Sequence, residues 1–325
     1  MYNVLGIIAE YNPLHNGHVF HIEQSQNISD ADFTICIMSG NFVQRGNTSL
    51  INKWTKTEMA ILNGIDLVIE LPTVYATSSA EIFAEGAIRI LNALSIVDTI
   101  SFGVETDDIG ILNKIATVLY EEPKEYITLL NYELSKGSSF PKARENAILM
   151  YLKDIAKYSG VLSSPNNVLA IEYLKALRKT RSYIKPILIK REKVNYNDTN
   201  VMDQFASSTA IRNFVKNNKF NEISKVMPES AYNLLIEDYK RGNYVQDIVK
   251  FEKEILYELR KLPISELATY PDVSEGLEYS LKKAANSCNN LYDLINLVKS
   301  KRYTLTRIQR ILIHILLNIK QMDII

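Results

Sequence analysis

Two histidines frame an asparagine and a glycine in His15-Asn16-Gly17-His18, a few residues past the apolar run Val4-Leu5-Gly6-Ile7-Ile8. At a strand-to-helix junction this grouping suits a nucleotide phosphate. First-turn N–H groups and the positive end of the helix dipole attract an anion, glycine lets the nucleotide approach the main chain, and imidazoles supply directed donors. The chemistry suggested is at the α-phosphate of ATP. Much later, Ser207-Ser208-Thr209-Ala210-Ile211-Arg212 reads as a second helix start facing phosphate. Its hydroxyls can accept from first-turn amides or donate to a phosphate oxygen, and Arg212, one turn in, offers a forked pair of donors. A metal shared by His15, His18 and His21 is a weaker reading, because no cysteine or regular carboxylate pattern joins them.

The elements that must position these groups alternate. Short β-branched runs at Val4 to Ile8, Phe33 to Met38, Asp66 to Glu70, Val97 to Phe102 and Lys185 to Ile189 are separated by helical patterns, among them Lys53 to Asn63 and Ser78 to Leu94. This predicts an α/β fold with a doubly wound parallel sheet, its continuous apolar strands covered on both faces. Ligands in such sheets sit beyond the carboxyl ends of strands. Those ends hold Glu10 to His18, Ser39 to Gly46, Glu70 to Pro72, Phe102 to Glu105, and Lys190 to Arg191.

From Glu122 to Thr180 the pattern is helical, with breaks at Lys136-Gly137-Ser138-Ser139 and Ser163-Ser164-Pro165-Asn166-Asn167. Ser164 or Asn166 is a candidate cap for the helix that follows. After Arg212 no strand is evident, and Phe220 to Ile325 reads as helices with turns. The expected division is residues 1–218 for the nucleotide-binding domain and 219–325 for a helical domain.

Of 325 residues, 46% are hydrophobic and 23% charged, which excludes disordered and fibrous classes. Lysine plus arginine equals aspartate plus glutamate at 37 each, so no global field draws the chain onto nucleic acid, and any RNA contact must be local. The part from Lys216 onward is mildly basic. Cys36 and Cys288 are far apart, which argues for a reducing compartment. With no secretory signature and no apolar run of bilayer length, the reading is a cytoplasmic protein without membrane contact.

The motif Glu10-Tyr11-Asn12-Pro13-Leu14-His15-Asn16-Gly17-His18, paired with Ser207 to Arg212, resembles the two signature motifs of the HxGH nucleotidyltransferases. Further segments narrow the resemblance: Gly6 to Pro13, Met38 to Gly46, Asn63 to Pro72, Ser164 to Leu169 and Lys301 to Leu312. Over nearly its whole length the chain is similar to the tRNA(Met) cytidine acetate ligase family.

The resemblance implies a Rossmann-like sheet of the nucleotidyltransferase type followed by a helical C-terminal domain. It implies activation of acetate by ATP to acetyl-adenylate, then acetylation of the wobble cytidine of elongator tRNA(Met). Carried over by matching motif, the ATP site would include Ile7, Ile8, Ala9, Glu10, Tyr11, Asn12, Pro13, Leu14, His15, Asn16, Gly17, His18, Val19 and Phe20. Gly103, Asn166 or Asn167, and Arg191 would join them, with Ser207, Ser208 and Thr209 from the second motif. Glycine at a strand end permits close approach, asparagine pairs with adenine edges or hydroxyls, and arginine binds phosphate or stacks. Asn41, Gln44 and Arg45 are further candidates.

On this reading His15 and His18 serve the phosphates, Lys53 and Arg212 the leaving pyrophosphate, and Mg²⁺ rides on the triphosphate oxygens. The base that assists the cytidine amine is not evident from sequence. For RNA, Lys299, Arg302, Tyr303, Arg307 and Arg310 form a basic stripe with an aromatic, suited to a phosphate backbone, or else a solvated helix face. Family members continue well past the part that resembles Lys301 to Ile319, whereas this sequence stops at Ile325, so the expectation is a whole adenylation site with a reduced hold on tRNA. Two rival readings stand beside the ligase: an ordinary adenylyltransferase acting on a phosphorylated metabolite, and a non-catalytic nucleotide- or RNA-binding protein.

Overall fold

The computed structural model describes residues 2–191 and 205–324. Strands β1 (Val4–Ala9), β2 (Phe33–Ser39), β5 (Leu67–Leu71), β6 (Thr99–Val104) and β7 (Lys185–Lys190) form one parallel sheet in the order β5-β2-β1-β6-β7. Chain order therefore reverses direction between β1 and β6, the switch point where doubly wound sheets take their ligands. Both faces are buried. Successive residues of β1 and β2 alternate sides: Val4, Ile35 and Ile37 join one apolar cluster, while Leu5, Ile7, Cys36 and Met38 join the other. A short antiparallel hairpin, β3 (Phe42–Val43) and β4 (Asn47–Thr48), follows β2 and was not foreseen.

Helices α1 (Asn16–Ser29), α2 (Lys53–Ile61), α3 (Thr73–Ala76), α4 (Ala80–Leu94) and α5 (Ile109–Glu121) fill the first crossovers. The long connection from β6 to β7 carries α6 (Lys124–Ser135), α7 (Phe140–Leu152), α8 (Ile155–Tyr158) and α9 (Pro165–Lys179). After β7 the described chain is helical: α10 (Ser208–Lys216), α11 (Phe220–Val226), α12 (Glu229–Arg241), α13 (Glu252–Lys261), α14 (Ile264–Leu267), α15 (Leu277–Ser287), α16 (Leu291–Val298) and α17 (Leu305–Leu317).

Packing shifts the change of core later than the boundary expected at 218. Ile223 and Val226 of α11, Met227 just after it, and Ala231 and Leu235 of α12 lie in the same cluster as Leu5, Ile7, Ile22 and Met59. A separate apolar core begins at Ile248 and gathers α13 to α17, with Phe42 of the hairpin packed against it. Among the described residues no helix is long and apolar enough to cross a membrane.

Candidate active site at the ends of β1, β6 and β7

After β1 the chain turns through Tyr11, at φ 42°, and a cis Asn12–Pro13 peptide. Asn12 pins this turn to the hairpin side: its Oδ1 accepts from Leu50 N at 2.7 Å and its Nδ2 donates to Thr48 O at 3.3 Å. His15 then caps α1. Its Nδ1 accepts from Gly17 N at 3.1 Å, and His18 Nδ1 accepts in return from His15 N at 3.3 Å, a reciprocal cap made by two imidazoles. The rings stack with centroids 3.7 Å apart. Gly17 makes this possible, since a Cβ there would sit 3.0 Å from His15 Cε1 and 3.1 Å from its Nδ1.

The reciprocal cap fixes the tautomer. With both Nδ1 atoms accepting main-chain N–H groups, a neutral ring carries its hydrogen on Nε2, and each imidazole presents a donor. Burial, with Arg191 next, lowers the pKa of His15 and of His21 to about 4. His18 is held well below the ordinary value by burial, then by His15, Arg191 and His21. At neutral pH the site thus holds uncharged imidazoles beside a guanidinium.

The second motif docks onto this loop from 200 positions away: Arg212 Nη1 donates to Asn12 O at 2.8 Å. Its Nη2 donates to Thr209 Oγ1 at 2.9 Å, and Ser208 Oγ donates to Pro13 O at 3.2 Å. Ser207 caps α10 by accepting from Ala210 N at 3.2 Å. Ile211 and Val215 enter the cluster of Leu14 and Ile22, so apolar burial seats the helix that delivers Arg212.

Across the switch point, Arg191 follows β7 and lies over Gly103, where a Cβ would be 3.3 Å from its Cγ and 3.9 Å from His21 Cδ2. His21 is itself anchored, with Nε2 3.2 Å from Ser101 Oγ. Arg191 thus lies near Gly103, His15, His18 and His21, while Arg212 is seated on the Asn12 carbonyl of the loop that carries His15.

Asn166 and Asn167 both bond to the end of β6. Asn167 Oδ1 accepts from Glu105 N and Thr106 N at 3.0 and 3.1 Å, and its Nδ2 donates to Thr106 Oγ1 at 3.0 Å, so the buried amide clips α9 to the end of β6. Asn166 Nδ2 donates one hydrogen to Glu105 Oε1 at 2.6 Å, which leaves its second N–H and its oxygen for a ligand. Neither Ser164 nor Asn166 caps α9 with its side chain. Glu105 does so from outside, accepting from Asn167 N at 3.1 Å.

At the end of β2 the groups are also committed. Lys53, expected at the pyrophosphate, pairs instead with Glu70 at 2.6 Å, and its N–H donates to Asn41 Oδ1 at 2.9 Å. Gln44 N donates to Glu10 Oε1 at 2.6 Å, while Gln44 Nε2 donates to Ser78 O at 3.1 Å. Lys56, which sequence reading missed, is fully buried and donates to Ser39 O and Gly40 O at 2.8 and 2.9 Å. Burial lowers its pKa to about 8 against the pull of Glu10, Cys36 and Glu70.

The basic stripe divides. Arg310 makes a two-pronged contact with Asp272 Oδ2 at 2.8 and 3.0 Å. Arg307 donates to Asp272 O at 2.9 Å and Ser274 Oγ at 2.8 Å, and Tyr303 OH donates to Glu275 O at 2.8 Å. These side chains hold the 272–275 loop to α17. Lys299 and Arg302 remain exposed.

Sheet order, cleft position and paired motifs define a nucleotidyltransferase. Residues 2–325 match the family model described as HIGH Nucleotidyl Transferase, and the chain belongs to that family. Within it, the chain is similar to the tRNA(Met) cytidine acetate ligases of Acetivibrio thermocellus, at 42% identity over 99% of this chain and 78% of that protein, and of Caldanaerobacter subterraneus subsp. tengcongensis, at 45% over 97% and 78%. It is also similar to the crystal structure of Thermotoga maritima TmcAL bound with alpha-thio ATP, with a TM-score of 0.91 at 33% identity, covering 99% of this chain and 76% of that one.

Proposed function

We propose that this protein is an ATP-dependent ligase of the cytoplasm that converts acetate and ATP to acetyl-adenylate and pyrophosphate, then acetylates the wobble cytidine of elongator tRNA(Met). The observation that carries the reading is the docking of Arg212 and Ser208 on the Asn12–Pro13 turn, which brings both motifs to one cleft. ATP lies along the loop from Ile7 to Phe20, with Gly103 and Arg191 across the switch point and Ser207 to Thr209 at the second helix start. The acetate carboxylate attacks the α-phosphorus in line and pyrophosphate departs, so no protein nucleophile is needed. The Nε2 donors of His15 and His18 stabilise the charge that gathers on the phosphate oxygens, and Arg212 serves the leaving group. An arriving triphosphate favours the charged form of the imidazoles, against the burial that otherwise keeps them neutral.

Among the described residues, no group of three histidine, cysteine or acidic side chains is placed to hold a metal ion. Mg²⁺ is assigned to the triphosphate oxygens. It would neutralise phosphate charge while the residues above orient the nucleotide.

The test is pyrophosphate exchange into ATP with and without acetate, followed by mass analysis of nucleosides from added tRNA. Acetate-dependent exchange and an acetylated cytidine are expected. Exchange that requires a phosphorylated metabolite would replace the ligase with an ordinary adenylyltransferase, and nucleotide binding without exchange would replace it with a sensor.

A further inference from the structure

Glu10 is the one acidic side chain in the loop that carries His15 and His18, and its surroundings are otherwise donors and cations. It directly follows β1, two residues before the turn on which Arg212 docks. One oxygen accepts from Gln44 N at 2.6 Å, and no other described residue donates to the carboxylate. Lys56 from α2, Arg45 from the hairpin turn and Arg212 from α10 face it electrostatically, as does the phenol of Tyr173 from α9. None of the three cations forms an ion pair with it: Lys56 turns its ammonium to two carbonyls and Arg212 to Asn12 O and Thr209. Glu10 is thus neither half of a salt bridge nor a helix cap.

A negative charge here opposes the arrival of acetate and triphosphate, and holding it half-buried is itself costly. Burial raises its carboxyl pKa from the ordinary value, while the Gln44 N–H and then Lys56, Arg45 and Arg212 pull it back. Such a group is suited to taking a proton. The second half-reaction needs that service, because a cytidine amine that adds to an acyl carbonyl becomes cationic and must lose a proton. The imidazoles of His15 and His18 are unsuited. Their Nδ1 atoms already accept main-chain N–H groups, and their Nε2 atoms carry hydrogen.

We propose that Glu10 is the proton acceptor for the cytidine amine, an assignment that rests on the acetyl-transfer reading above. The bond from N4 to the acetyl carbon forms, the bond from that carbon to the adenylate oxygen breaks, AMP leaves with the electron pair, and the N4 proton passes to the second oxygen of Glu10.

The experiment forms acetyl-adenylate on the full chain from ATP and labelled acetate, adds tRNA(Met), and follows single-turnover transfer beside acetate-dependent pyrophosphate exchange. Glu10→Gln, which preserves shape and the acceptor for Gln44 N, should lower the ratio of transfer to exchange by roughly 100-fold or more. Glu10→Asp, which keeps a carboxylate, should fall between the two. The wild-type transfer rate should rise with pH along an acid limb that the Gln variant lacks. Equal loss of both steps would overturn the assignment in favour of a role in adenylation or in cation placement. Undiminished transfer would overturn it in favour of the departing phosphate as base. Absence of acetate-dependent exchange in the wild-type chain would instead bring down the ligase reading itself.

Discussion

Arg212 and Arg310 look alike in sequence, each on an amphipathic helix among residues that suit phosphate, yet they end in opposite circumstances. Arg212 reaches out of its helix to a carbonyl of a distant loop and a neighbouring hydroxyl, with Glu10 nearby but unpaired. Arg310 is only 11% exposed and closes on Asp272 within its own domain. An arginine becomes available to a ligand when its partners are neutral and becomes a structural clamp when a carboxylate folds onto it. One region of the molecule is poised for an anion; the other has already satisfied its charge.

Breaking each region should therefore give different losses. The largest belongs to the cleft: His18→Ala or Arg212→Ala should lower acetate-dependent exchange by about 10²–10³-fold, the scale of losing a directed donor to a developing charge. Exchange within tenfold of wild type in both variants would remove the motif from the chemistry.

Acid should sharpen the contrast next. His15, His21 and His314 have folded pKa values near 4, and His18 is also depressed, against an ordinary 6.5. The unfolded chain then binds more protons between these values, so stability is fully present above pH 6.5 and is lost as pH falls toward 4. Each histidine contributes up to about 1.4 kcal/mol per pH unit across that window. A non-hydrolysable ATP analogue should blunt this loss for the cleft histidines and leave that of His314, which thermal melts at pH 7 and pH 5 would read. An analogue without effect at pH 5 would separate the histidines from the nucleotide.

Smaller again, Arg310→Ala should cost about 1–2 kcal/mol by leaving Asp272 without its partner. The readout is a lowered melting temperature; weakened tRNA binding with no change in melting would return Arg310 to the RNA surface. The smallest effect should come from Lys299→Ala and Arg302→Ala, each weakening tRNA binding by roughly 2–5-fold and reducing the salt dependence by about one charge. Titrations at two salt concentrations decide this, and an unchanged slope would discard the exposed end of the stripe as well.

What was legible in the sequence was periodic or local. The five largely apolar strands and the two capped helix starts depend on neighbours a few residues away, so pattern reading found them. The departures depend on partners far along the chain. Nothing near Arg310 identifies Asp272 as its mate, and the amide of Asn167 is occupied by a loop 61 and 62 positions earlier. Lys56 escaped because a lysine on a helix ordinarily reaches solvent, and only the fold shows two strand-end carbonyls receiving it. The later change of core was hidden for a similar reason: an amphipathic stripe on α11 or α12 does not say which surface it will cover.

Gly46, at φ +72°, lies in the turn of the hairpin with the main chain of Gln309 and Arg310 pressed against it, too close for any Cβ. Two positions away, Gln44 holds Glu10. The last long helix is thus the anvil on which the hairpin is shaped, and a bulkier side chain at position 46 would push that anvil away and misalign a carboxylate that the helix never touches. Damage that looks confined to the tail should register in acyl transfer as well as in RNA affinity.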